Sequence, residues 1–225
     1  MADNQLQKVF NTLLTTYGPR HWWPGETPFE VCVGAILTQN TNWGNVEKAI
    51  ANLKAADRLS ITGMSTLLPD ELAALIRPAG YFNIKAARLQ AFVSFLLDQY
   101  GGSLDRLFAG PWQQARTELL AVKGIGPETA DSILLYAGHK PSFVVDAYTR
   151  RIFSRLGLID EQISYDGLRH HFMDSLALDA ALFNEYHALI VELGKQVCRP
   201  RPHCSCCCLA EQCMYNAISP KACKQ

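Results

Sequence analysis

Apolar residues recur at helical spacing along almost the whole chain. The segments QLQKVFNTLLTTY, FEVCVGAILTQ, NVEKAIANL, DELAALIRPAG and KAARLQAFVSFLLDQYG set Leu, Ile, Val, Phe and Ala three or four positions apart, which lines one helical face. The spacing continues through ARTELLAV, ETADSILLYAG, AYTRRIFSRLGL, YDGLRHHFMDSL and FNEYHALIVELGKQVC. Punctuation agrees with it. Gly80, Gly101, Gly102 and Gly138 follow such segments, while Pro69-Asp70 and Pro111 precede new ones. Sustained strand alternation is missing, and PSFVV (Pro141 to Val145) is too short to build a sheet. The pattern predicts an all-α protein of about ten helices joined by short connections.

Composition narrows this picture. The 225 residues are 48% hydrophobic and 19% charged, which suits a globular chain with a real core, as one large domain or two small ones. The N-terminus MADNQLQKVFNTLLTTYG is amphipathic, so neither a secretory signal nor a membrane span is expected. Lys plus Arg number 21 and Asp plus Glu 21, giving zero formal charge. Binding to nucleic acid would therefore need a local basic patch. Of eight cysteines, Cys32 stands apart and the others crowd between Cys198 and Cys223. A disulfide framework would spread them over the elements it staples, so the crowding points to a metal or cluster site in a reducing compartment, the cytoplasm.

The stretch LLAVKGIGPETADSILLY, Leu119 to Tyr136, is a corner between two helices. Leu119 and Val122 give the first an apolar face; Ile133, Leu134 and Ala137 give one to the second. Gly124 and Gly126 permit backbone angles and a closeness of approach that side chains would obstruct. Pro127 fits the first turn of the next helix, where its missing N–H costs nothing. Unpaired N–H groups at such a turn suit an anion, and a DNA phosphate would be held there without its sequence being read.

With apolar positions on both sides and Thr129-Ala130 opening the second helix, this corner resembles the helix-hairpin-helix of the endonuclease III superfamily of DNA glycosylases. The resemblance covers most of the chain. ILTQNT (Ile36 to Thr41) is similar to the family's early Gln-containing motif, and RPAGYFNIKAARL to the segment that probes DNA at a lesion. The hairpin, VVDAYTRRI and the cysteine tail follow in the family's order. The implied architecture is a six-helix domain over 26–135 containing the hairpin (about 119–136). A second helical domain would combine 1–25 with 136–225 and carry a cluster loop over 198–213. Double-stranded DNA holding a damaged base would lie across the cleft between them, bound by a monomer associated with the nucleoid if the source is bacterial.

Breaking an N-glycosidic bond builds positive charge on the sugar, and a carboxylate beneath it stabilises that charge and can orient the attacking water. Asp146 in VVDAYTRR sits where the family's catalytic aspartate would be. Its local sequence equally suits an N-cap for the helix beginning at Ala147. Bifunctional members carry a lysine in the second hairpin helix that forms a Schiff base and nicks the strand. The matching residue here is Glu128, which cannot form an imine. Lys123, before the turn, is a weaker substitute and faces phosphate or solvent. The expected enzyme is monofunctional, with water as nucleophile.

HWWPGETPFE, TQNTNW, IRPAGYFNIKAARL and KGIGPETADSILLYA look like the 3-methyladenine DNA glycosylase branch. The resemblance implies a base pocket from Trp22, Trp23, Pro24, Trp43, Glu128 and Lys195. Alkylation at N3 or N7 makes a purine cationic, and an electron-rich aromatic face attracts a cation by up to ~2 kcal/mol when desolvated. The tryptophans can equally be core residues. Gln39 fills the space left by the extruded nucleotide or acts as a cap or buried amide. Tyr81, or Phe82 beside it, wedges into the base stack. Lys195 touches DNA or lines the pocket, or simply complements a helix C-terminus.

CRPRPHCSCCCLAEQC contains Cys198-x5-Cys204-x2-Cys207-x5-Cys213. Four thiolates on one loop can hold a cubane cluster or a tetrahedral zinc. The spacing resembles the [4Fe–4S] loop of endonuclease III relatives, one residue shorter in the first interval. Cys206 and Cys208 leave the register open, while Cys32 and Cys223 look like spare thiols. A cluster here would order the loop carrying Arg199 and Arg201, a local basic patch for phosphates. Some alkylpurine relatives lack the cluster, which sets this chain between subgroups.

The function that follows is removal of alkylated purines such as 3-methyladenine by a base-excision glycosylase without lyase activity. Rivals within the family are a glycosylase for mismatched thymine, uracil or adenine, and a bifunctional lyase. A rival of another class is a non-catalytic iron–sulfur DNA-binding protein, which would have no need of Asp146.

Overall fold

Helices form wherever the apolar spacing predicts them. The computed structural model describes residues 5–218; among these the regular structure is thirteen α-helices, a π-helical turn and short 3-10 turns, with no strand. In chain order α1 is Gln5–Tyr17, α2 Pro28–Leu37, α3 Trp43–Ala55, α4 Ile61–Ser65, α5 Pro69–Leu75, α6 Phe82–Tyr100 and α7 Leu104–Ala109. Then come α8 Trp112–Ala121, α9 Pro127–Ser132, α10 Ala147–Leu156, α11 Tyr165–Ser175, α12 Ala180–Gln196 and α13 Met214–Ile218. The short members α4, α7 and α13 exceed the sequence expectation, because fewer than two turns cannot display a 3.6-residue period. None of the helices is long and apolar enough to cross a membrane.

The chain divides into two compact units. One joins the residues up to Trp22 with those from Phe143 onward; the other is Trp23–Ser142.

In the Trp23–Ser142 unit the centre is α2. Val31, Cys32, Val33, Ile36 and Leu37 are buried on all its sides, so it is apolar all round rather than striped. Thr27 caps it, accepting from the Glu30 backbone N–H at 3.2 Å, and Pro28 occupies its first turn. The buried Lys85 donates to the Leu37 and Ala79 carbonyls, both at 2.8 Å. It thereby satisfies the last turn of α2 and pins the bend before α6.

The other unit is built on α12, against which α1 and α10 pack. Tyr186 donates its hydroxyl to the Leu6 carbonyl at 2.7 Å, tying α1 down. Phe143, Phe153, Phe172, Phe183 and Tyr186 form its aromatic core, with Phe143 stacked on Phe172 at 4.0 Å and 12°. Gly194 lets α10 approach closely, because a Cβ there would run into the Tyr148 ring.

Candidate functional site

The corner at Gly124 is a helix–turn–helix. Val122 ends α8, Gly124 has φ +91°, and Pro127 opens α9. Gly124 is required twice over. Its φ lies where side chains are strained, and a Cβ would overlap the aliphatic part of Arg88 from α6. Arg88 also donates to Oε1 of Gln39. Gln39 in turn donates through Nε2 to the Thr129 hydroxyl at 2.9 Å and the Gly124 carbonyl at 3.3 Å. Its amide thus braces the turn from the end of α2. Beneath the turn, Arg116 on α8 grips Asp131 on α9 through two bonds of 2.8 and 3.0 Å, and Ser142 donates to the same carboxylate. Lys123, Gly126 and Glu128 stand exposed around the turn, Glu128 in the first turn of α9.

Gly34 on α2 lies beside two aromatic rings of the same unit. A Cβ there would contact both Trp23 and Trp43 at 3.5 Å. Trp23 meets Trp43 edge-to-face at 5.1 Å and 89°, and leans on Tyr136 at 4.9 Å and 37°. Trp43 donates its indole N–H to Glu47 at 2.7 Å, which fixes the ring's orientation. Both tryptophans are half-buried, Tyr136 is buried, and Pro24 is exposed beside them. The π turn Ile133–Ala137 carries Tyr136, and sequence periodicity gives no sign of that turn. Tyr81 is 68% exposed with left-handed backbone (φ 46°, ψ 33°), whereas Phe82 lies under the Arg77 guanidinium at 5.9 Å.

In the other unit Asp146 caps α10. Its Oδ1 accepts from the Thr149 backbone N–H at 2.7 Å and the Thr149 hydroxyl at 2.9 Å, a reciprocal capping box. Oδ2 faces Nε2 of His187 on α12 at 3.6 Å. The carboxylate side chain is 14% exposed. Burial alone would raise its pKa; His187 and the Thr149 hydrogen bonds outweigh burial and hold it below its ordinary 3.8. Cap and catalytic candidate are therefore one residue, and the capping bonds leave Oδ2 free of Thr149. Sequence reasoning missed His187. Its only signal was a histidine inside the apolar run YHALIV, which reads as a core position.

Lys195 places its ammonium 5.5 Å from the Trp22 ring centroid, within cation–π range. Arg199, exposed like Arg201, donates to the Lys195 carbonyl at 2.7 Å. The cysteine loop wraps onto α10. Arg155 donates to Cys198 Sγ at 3.3 Å and to the Arg199 and Pro200 carbonyls, and Cys213 donates to the Arg155 carbonyl at 3.3 Å. Cys204 is buried. The Cys207 thiol is pushed up to about 11, by burial first and then by its neighbours Cys208, Cys198 and Cys213. That repulsion records Cys198, Cys208 and Cys213 in the neighbourhood of Cys207. Cys206 instead is exposed and turned to the His203 carbonyl at 3.2 Å. Among the described residues no three His, Cys, Asp or Glu side chains converge to hold a single metal ion. Cys32 is buried within α2, and Cys223 lies outside the described residues.

Comparison with known proteins adds independent findings. Residues 33–177 match the family described as HhH-GPD superfamily base excision DNA repair protein. The chain is 47% identical over 218 residues to a candidate DNA repair glycosylase of Methanocaldococcus jannaschii, covering 95% of this chain and 99% of that one. It is 29% identical over 189 residues to endonuclease III of Thermotoga maritima, covering 84% and 83%. Among solved structures, the H. pylori 3-methyladenine DNA glycosylase bound to 1,N6-ethenoadenine has a TM-score of 0.74 at 33% identity, covering 86% of this chain and 97% of that chain. An endonuclease III–DNA complex shares the fold, with a TM-score of 0.84 at 22% identity over 98% and 100% of the two chains.

Proposed function

Because this chain belongs to the HhH-GPD superfamily of base excision DNA repair proteins and is an enzyme of the DNA glycosylase class, we propose that it hydrolyses the N-glycosidic bond of alkylated purines in double-stranded DNA and leaves the strand uncut. The observation that carries the reading is Asp146. A carboxylate held ionised at the start of α10, one oxygen spoken for and the other not used by the cap, can stabilise a cationic sugar and orient water.

The aromatic residues support the choice of substrate. Trp23 and Trp43 join Tyr136 in one nest. Rings of this kind favour a base that carries positive charge. The proposed base-contacting residues are Trp23, Pro24, Trp43 and Glu128 in the Trp23–Ser142 unit, and Trp22 and Lys195 in the other. The 33% identity to a 3-methyladenine glycosylase supports that choice. Glu128 at the hairpin supports hydrolysis without strand cleavage, since a carboxylate offers no amine for an imine.

Gly124, Gly126 and Lys123 are proposed to meet phosphate, Tyr81 to enter the base stack, and Gln39 to serve the DNA side through the turn it braces. Cys198, Cys204, Cys207 and Cys213 would hold a [4Fe–4S] cluster. Its contribution is structural: it orders the loop that presents Arg199 and Arg201.

The test is base release from methylated duplex DNA, with strand breaks read before and after alkali. Free methylpurine with breaks only after alkali is expected, and Asp146→Asn should lower release at least about a hundredfold. Release of another lesion alone would move the substrate. Borohydride trapping of a protein–DNA adduct would overturn the missing lyase.

A further inference from the structure

We infer that His187 is a positioning residue that acts through Asp146, setting the orientation of the carboxylate and keeping it ionised. The inference rests on the reading of Asp146 as the catalytic carboxylate.

The two carboxylate oxygens have separate hosts. Oδ1 takes both bonds from Thr149, and Oδ2 points to His187 Nε2 at 3.6 Å, longer than a direct hydrogen bond but within ion-pair range. Thr149 alone would leave the carboxyl free to pivot about Oδ1. An imidazole on the far side limits that rotation, and its attraction for the anion opposes the cost of burial. The ring itself is 7% exposed, so water competes little for the interaction.

Other charged groups around the pair are committed elsewhere. On α12, Glu185 accepts from the Arg20 backbone N–H, Glu192 pairs with Arg20 at 3.1 Å, and Lys195 lies over Trp22. On α10, Arg150 donates to the Glu161 and Ile163 carbonyls and Arg151 to those of Cys198 and Gly194. From α11, the Tyr165 hydroxyl accepts from the Val145 N–H at 3.4 Å. α1 brings Tyr17, which lies toward Glu192 and Cys206–Cys208, and its Lys8 is exposed. His187 thus stands within ion-pair range of Oδ2.

Base release needs the carboxylate ionised, so its acid limb follows the Asp146 pKa. Replacing His187 by a neutral residue removes the attraction and leaves the burial. The acid limb should then move to higher pH, by about one unit or more.

The experiment compares wild type and His187→Gln, with His187→Asn as the second variant should the first not fold. Two readouts are taken: the pH profile of methylpurine release, and the titration of the Asp146 carboxyl followed by carbon NMR. Both midpoints moving upward together, with release recovering toward wild type at higher pH, is the expected result. A carboxyl that titrates at the same pH in the folded variant and wild type overturns the role of His187, even if overall release falls. Failure of the underlying reading looks different. There Asp146→Asn releases base at the wild-type rate, whatever the titrations show.

Discussion

At the scale of the residue, Asp146 caps α10 and is the proposed catalytic carboxylate, two roles that substitution can separate. Asparagine is nearly as good an N-cap as aspartate, whereas alanine loses the cap at a cost of about 1 kcal/mol. Asp146→Asn should therefore keep the cap and lose only the carboxylate's own share of stability in thermal denaturation while losing base release; Asp146→Ala should lose the cap as well. Because the folded-state pKa lies below the ordinary 3.8, the ionised carboxylate contributes stability in full above that value. The contribution fades as pH falls from there through the folded pKa, so Asp146→Asn should flatten the acid side of the stability curve below about pH 3.8. Glu128 makes a different kind of point. It is exposed in the first turn of α9, so a lysine in its place would stay protonated near neutral pH, with a pKa of about 10.4. Glu128→Lys should accordingly give no efficient borohydride adduct on lesion DNA, and strong trapping would contradict this account.

At the scale of the element, the hairpin is held by more than its glycines. Asp131 is fully buried and takes both Arg116 and Ser142, which binds α9 to α8 and to the end of the unit. Asp131→Ala would leave Arg116 without its buried counter-ion. The expected loss is about 3 kcal/mol, the lower end for such pairs because Arg116 keeps some access to water. For a chain of this size that corresponds to roughly 6–12 °C in melting temperature. Gly124→Ala should cost about 1–3 kcal/mol, from a side chain at φ +91° and its overlap with Arg88. A melting temperature unchanged in either variant would show that the turn does not depend on these contacts.

At the scale of the whole molecule, the cysteine loop carries the proposed cofactor. Cys207 is half-buried among neighbouring thiols, while Cys206 is exposed and bonded to its own loop. Cys207→Ser should lower bound iron and the broad visible absorption of the purified protein, and Cys206→Ser should leave both intact. Equal loss in the two variants would place the ligand register elsewhere. Loop and α10 share Arg155, so loss of the cluster should also lower thermal stability.

Apolar spacing, glycine and proline placement, and the crowding of cysteines were legible in the chain, because each acts through neighbours a few residues away. They determined the helical class, the hairpin corner and Asp146 at the head of its helix. The short helices α4, α7 and α13 escaped, being shorter than the period that reveals a helix. Contacts between residues far apart in sequence were settled by tertiary structure alone. His187 is 41 positions from Asp146, and nothing in YHALIV distinguishes a core histidine from one facing a carboxylate. Tyr136, carried on a π turn, meets Trp23 from 113 positions away in the chain, and Gln39 finds the hairpin across 85 residues. Local patterns select helices and turns through short-range sterics and burial, whereas the partners of a buried polar or aromatic group depend on how those helices pack.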